Sequence, residues 1–365
     1  MRPAFPTTKS AVGFALLLLL LLILPAVMGK NWLPPREELY SSTTWRFGPF
    51  NHIRRQIFEE KADIDVVFIG SSRIWSGIDT PYVQQEFSKK LGRPAVVLTL
   101  GWAWNGYDAL YFMTQDLLQN RKVRMLVFDD EDCDVPHSAA PHWFRMGDNG
   151  EALAGMPPRI QATYYFAAIL GMPQNLLSLI RPNLPDELIF PENDHWKTFF
   201  QAPNSAARLG ALASEQMITG VPFAPFVPQG DARPADVSVY SPATKDQFLF
   251  VGPPTAAWQL KFAQKFAALA QAHGVKLVCL HLLPTEVNDE TNTPVVRERE
   301  FLPETLHADV TMMGIPPAKL YSGINSGDLP RLFYTVNHFN RNGQAYFTRL
   351  ITPRLLEIYE TQTSH

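Results

Sequence analysis

The stretch VVFIGSSRIW, residues 66 to 75, sets two hydroxyls, Ser71 and Ser72, behind Gly70 at the point where an apolar run stops. A serine hydroxyl attacks a carbonyl only if a base within hydrogen-bond reach takes its proton, and that base is most often an imidazole. His338, in TVNHFNRNG, stands just before a helix start with Asn340 as the cap. A hydroxyl and an imidazole at one sheet edge would support nucleophilic acyl transfer. A third polar group is the acidic run DDEDCD at 129 to 134. With His137 and His142, its Asp130, Asp132 and Asp134 offer oxygen and nitrogen donors for a metal. The run matches no established metal spacing, so neither a metal nor any other cofactor is expected. Trp75, Trp102 and Trp104, with Asn105, fall in the loops that would surround Ser72, where indoles either stack on sugar rings or cap a core. His281 ends a strand of its own and reads as a lining or structural histidine.

The elements that must position these residues follow an α/β rhythm. Residues 65–69 are apolar after Asp65, as in a parallel strand buried on both faces. A helix is expected at 51–60 before it and at 80–91 after it. A second strand at 94–100 ends on Gly101, and a helix at 106–119 leads to a third strand at 123–128. A helix at 254–273 and a strand at 275–282 continue the alternation, which is that of a doubly wound sheet. Ligands of such sheets bind beyond the carboxyl ends of the strands. Right-handed winding can bring the first strand and the last helix together there. Between 135 and 253 the alternation is lost to one helix at 158–179 and proline-rich loops, expected to form an insertion over or beside the site.

At the N-terminus, Arg2 and Lys9 precede an uncharged run from Ser10 to Gly29. About twenty apolar residues span a bilayer core as a helix. The expectation is an uncleaved signal anchor over 1–30, its basic end cytoplasmic, rather than a cleaved signal, for which Ala26-Val27-Met28 is a poor site. An arm over 31–60 and an extracytoplasmic domain over 61–365 would follow, making the membrane the first partner. Two cysteines, Cys133 and Cys279, are too few for a disulfide scaffold and read as small buried residues. A net charge of -3 without a basic stripe argues against nucleic-acid binding.

Taken in order, Gly70-Ser71-Ser72 after the first strand, Gly101 after the second and His338 before the last helix resemble the SGNH (GDSL-like) hydrolase superfamily. The similarity is greatest to its membrane-anchored DltD-like and alginate-acetylation-like branch, and it covers roughly residues 65 to 132 and 255 to 350. The resemblance implies a three-layer α/β sandwich with a mainly parallel, flavodoxin-like sheet. It makes Ser72 the nucleophile, His338 the base, and the backbone N–H groups of Ser72 and Gly101 the oxyanion donors. The implied activity is hydrolysis or transfer of an acyl ester, with an envelope glycan as substrate and a membrane acyl-donor protein as partner.

Two positions depart from the family pattern. Thr335 stands where the family has a histidine-orienting aspartate, leaving as alternatives Asp328, the acidic run Asp129 to Asp132 with Asp132 as its candidate, or a Ser–His dyad oriented by a backbone carbonyl. Glu131 or Asp132 stands where the third block has an asparagine, and an ionised carboxylate donates no hydrogen bond. The alternative expectation is therefore a degenerate domain that binds or assembles within an envelope-polysaccharide system.

Overall fold

Residues Ile64–Gly70 form β1, and all seven are buried. A strand with apolar side chains on both faces needs cover on both faces, which places it inside a sheet rather than at its rim. The structure, a computed structural model, describes residues 6–27, 35–43, 49–102, 106–130, 135–137, 139–178, 237–239, 255–282, 308–316, 329–335 and 338–363, with single residues at 241, 248, 306, 320 and 324. Around β1 stand β2 (Val97–Gly101), β3 (Val123–Asp129), β4 (Ser238–Val239), β5 (Lys276–His281) and β6 (Val310–Gly314). Their order is β2-β1-β3-β5-β6-β4, and every pairing is parallel except that of β4 with β6.

Successive side chains of a strand point to opposite faces, and the core divides accordingly. On one face Val66, Phe68, Met125, Val127, Val278 and Leu280 pack with Val83 and Phe87 of α3 (Thr80–Leu91) and with Phe347 and Ile351 of α7 (Arg341–Thr363). On the other, Val67, Ile69, Leu126, Phe128 and Leu277 pack with Leu110 and Phe112 of α4 (Tyr107–Asn120) and Phe262 and Phe266 of α6 (Ala257–Ala272). The result is an α/β fold with a mostly parallel sheet between two helical layers. The sequence expectation for the elements around 64–130 and 257–281 is met to within about three residues. The helix expected at 51–60 is an α-helix, Phe50–Arg54, continued by a π-helical turn, Arg55–Glu59.

Among the elements with no expectation attached are β4, β6, the six-residue helix α2 (Ser72–Gly77), and a hairpin of β7 (Phe333–Thr335) with β8 (His338–Phe339). β6 reads VTMMG, too short and mixed to stand out before its neighbour is known.

The arm and the start of the insertion belong to the core. Arg36 donates to both carboxylate oxygens of Asp116 on α4, and to the Trp143 carbonyl and Asn149 Oδ1 at 3.1 Å each. The Tyr40 hydroxyl donates to Asp116 Oδ2 at 2.7 Å, and its ring stacks on Trp143 with centroids 5.2 Å apart. Helix α5 (Pro158–Ser178) is tied down by Tyr164, whose hydroxyl donates to buried Asp108. The first third of the insertion thus packs on the α4 and α6 layer, and most of its remainder lies outside the described residues.

Residues Thr8–Val27 form helix α1, which packs against α5, and its described side chains from Val12 to Ile23 are mostly exposed. Among the described residues no helix is long and apolar enough to cross a membrane.

Candidate functional site

The strand order turns about β1, with β2 on one side and β3 on the other, so the carboxyl ends of β1 and β3 form the switch point of the sheet. Gly70 ends β1 there. A Cβ at Gly70, whose φ is +157°, would collide with the Asp129 carboxylate at the end of β3. That carboxylate fills the space and accepts from Ser71, from its N–H at 3.3 Å and from its hydroxyl. Ser71 Oγ in turn accepts the Arg73 N–H at 3.1 Å as the cap of α2. Ser72 is the first helical residue, where backbone N–H groups have no partner within the helix.

The Ser72 hydroxyl lies 2.7 Å from His338 Nε2, across 266 residues of sequence. Several contacts hold the two ends of the chain at this distance. Asn340 Nδ2 donates to the Arg331 and Phe333 carbonyls at 2.8 and 3.2 Å, bracing the β7–β8 hairpin. Its Oδ1 accepts the N–H groups of Asn342 and Gly343 at 2.8 and 3.2 Å, which is the expected cap of α7. From α7, Gln344 Nε2 donates to the Ser76 carbonyl at 3.1 Å and Thr348 Oγ1 to the Gly77 carbonyl at 3.2 Å. The serine helix α2 and the histidine hairpin are therefore both fastened to the first turns of α7.

His338 is half-buried as a residue, yet protein atoms crowd its ring. Burial, and then the nearby positive charge of Arg73, lower its pKa from 6.5 to about 3. The imidazole is therefore neutral at pH 7, and with the proton on Nδ1 its Nε2 lone pair can accept the Ser72 hydroxyl proton. Arg73 itself donates to the Leu282 carbonyl at 2.9 Å and to Asp130 Oδ1 at 3.3 Å. Asp130 Oδ2 lies 2.8 Å from His281 Nδ1, so an acid–imidazole pair sits behind the arginine.

Gly101 pairs with Gly70 in the β1–β2 register. A Cβ on Gly101 would collide with Trp75 Cβ and Cγ. Glycine is thus required for the indole to close over the end of β2.

The structure brings Ser72, His338 and Gly101 to one edge. Asp328 and Asp132, the two candidate acids, lie outside the described residues, as do Glu131, Asp134, Cys133, Trp104 and Asn105. Trp75 and Trp102 are 3% and 0% exposed. They pack beneath the site and offer no face for a sugar, which corrects the stacking role in favour of core packing. Cys279 is buried, as expected. Among the described residues no three His, Cys, Asp or Glu side chains converge as a metal site would require. Asp130, first of the acidic donors considered for a metal, is turned instead toward Arg73 and His281.

Sequence reasoning offered the acidic run from Asp129 to Asp132 as a source of the acid because it follows the third strand, and the structure places Asp129 at the end of β3 with Asp130 just after it. It missed Arg73 and the pairing of Asp130 with His281. Comparison with protein-family models and with curated proteins finds no match for this chain.

Proposed function

We propose that this chain is a membrane-anchored, extracytoplasmic SGNH-like esterase or O-acyltransferase that works through an acyl-serine on an envelope glycan or related ester. The observation that carries the reading is the 2.7 Å contact between Ser72 Oγ and neutral His338 Nε2 at the switch point of the sheet. In the first half-reaction Ser72 Oγ bonds to the ester carbonyl carbon while its proton passes to His338 Nε2. Collapse of the tetrahedral species breaks the bond to the leaving oxygen, which takes that proton from His338. Water or a sugar hydroxyl then attacks the acyl-serine while His338 takes its proton, and collapse breaks the acyl bond to Ser72 Oγ, which takes that proton back, so hydrolysis and transfer differ only in the attacking oxygen. The Ser72 and Gly101 N–H groups are the oxyanion donors in this scheme, and losing one such donor typically costs about 100-fold to 1000-fold in rate.

The anchor over residues 1–30 rests on the uncharged run from Ser10 to Gly29 and on the exposed leucines of α1. A membrane acyl-donor protein as partner follows from the transferase branch of the same reading. A second reading, a degenerate binding or assembly module, is favoured by Thr335 in place of an acid and by a resting His338 of low basicity.

Labelling of the purified chain by a serine-directed fluorophosphonate, with turnover of p-nitrophenyl acetate, separates the two. The expected outcome is labelling and turnover by wild type and loss of both in Ser72→Ala, with turnover also lost in His338→Ala. Turnover that persists in both variants overturns the Ser–His mechanism, and an unlabelled wild type supports the degenerate module.

A further inference from the structure

Exposed large hydrophobic side chains are not scattered over this protein. Among the described residues all but Val135 lie on α1 or α5, two helices that pack against each other. On α5, Phe166, Leu170, Leu176 and Leu177 are 55%, 76%, 50% and 62% exposed. Patches of this kind mark surfaces that meet a partner or a lipid. No Asp, Glu, Lys or Arg occurs between Arg159 and Arg181, so beyond exposed Arg159 in its first turn the helix carries no charged side chain.

We propose that α5 is a second membrane-contacting element, lying in the lipid interface beside the anchor and holding the domain against the bilayer at a fixed attitude. The inference rests on the anchor assigned to α1, because continuity with that helix is what selects lipid as the occupant. Three features fit a helix that lies on a membrane rather than crossing it. Pro173 interrupts its hydrogen-bond ladder. Its opposite side is committed to the protein through Tyr164, fully buried and bonded to Asp108. Its first turns line a cleft of about 440 Å³ walled by Leu153, Ala154, Pro158, Ala162, Tyr165 and Phe166, and no charged side chain lines it. The cleft shares no residue with the Ser72–His338 site, so it extends the apolar surface rather than the catalytic one. An exposed apolar helix surface continuous with a membrane segment is covered by acyl chains when the domain rests on the bilayer.

The test uses the full chain in phosphatidylcholine–phosphatidylglycerol vesicles, with an environment-sensitive fluorophore on single cysteines in a Cys133→Ser background, Cys279 being buried. Leu170→Cys reports on α5, Leu18→Cys on α1, and Gln85→Cys on the exposed side of α3. Leu176→Cys repeats the measurement further along α5. The expected result is loss of fluorescence at positions 170 and 176 with spin-labelled lipid and protection there from aqueous iodide, while position 85 shows the reverse. If position 18 is quenched by lipid and position 170 behaves like position 85, the inference fails and the anchor stands. If position 170 is shielded from both quenchers, protein covers it and the inference fails. If position 18 is also unquenched by lipid, the anchor fails and the inference with it.

Discussion

In the proposed reaction the basicity of His338 is set by burial first and by the charge of Arg73 second. Burial and the arginine's charge both oppose a protonated ring and hold its pKa at about 3. A neutral imidazole is the form that accepts the serine proton, but the same forces make the resting base weak. Proton transfer is favoured only as negative charge forms on the tetrahedral oxygen close by. Removing Arg73's charge lowers the cost of protonating His338, so its pKa moves back up toward 6.5. In Arg73→Gln the acid limb of kcat/KM is therefore expected at higher pH than in wild type, and Arg73→Lys is expected to restore much of the original limb. A pH–rate profile on p-nitrophenyl acetate checks this, and unchanged limbs in both variants would remove Arg73 from the account. Ser72 and His338 were legible in the sequence because each sits at the boundary of a periodic element. Arg73 was not, because its meaning depends on Asp130 and on Leu282, which is 209 residues away.

At the scale of elements, hydrophobic periodicity was enough to place β1, β2, β3, β5 and their helices, since each is buried on a face that repeats every two or every 3.6 residues. It was not enough for the arm. What fixes residues 35–43 is a polar cluster: Arg36 and Tyr40 on Asp116, which stands 80 residues from Arg36 and is fully buried. Burial alone would lower the Arg36 pKa, and the Asp116 carboxylate more than reverses it. Breaking a buried ion pair from one side strands the other charge, at a cost of about 3–5 kcal/mol. Asp116→Ala is therefore expected to lose stability of that order in chemical denaturation. The pair of substitutions Arg36→Met and Asp116→Leu, which leaves no stranded charge, is expected to lose much less. Equal losses would mean that the arm is held by apolar contacts around Tyr40 and Trp143 rather than by the ion pair. The stake is positional as well as energetic, because residues 35–43 are fixed by this cluster to the α4 side of the sheet.

For the molecule as a whole, bringing Ser72 and His338 together stores a dependence of stability on acid. His338 binds its proton with a pKa of about 3 when folded and 6.5 as the free side chain. Between those values the unfolded chain holds the extra proton, so stability falls as pH drops from 6.5 to 3 and levels off below. Asp65 adds a second loss at lower pH. Burial alone would raise its carboxyl, but donors from Arg93, the Val96 N–H and Tyr359 outweigh burial and hold it below its ordinary 3.8. That contribution is complete above 3.8 and disappears as pH falls through the lower folded value. The two losses are separable by substitution. His338→Gln removes the His338 titration from the upper window, so its stability relative to wild type is expected to improve steadily from pH 6.5 down to pH 4. Tyr359→Phe withdraws one donor from Asp65 and is expected to act below pH 4, leaving the upper slope unchanged. Denaturant midpoints of the three proteins measured across pH 3 to 7 decide the matter. If His338→Gln keeps the wild-type slope between pH 4 and 6.5, the ring of His338 is not held neutral in the folded chain, and the weak-base account of its catalysis falls with it.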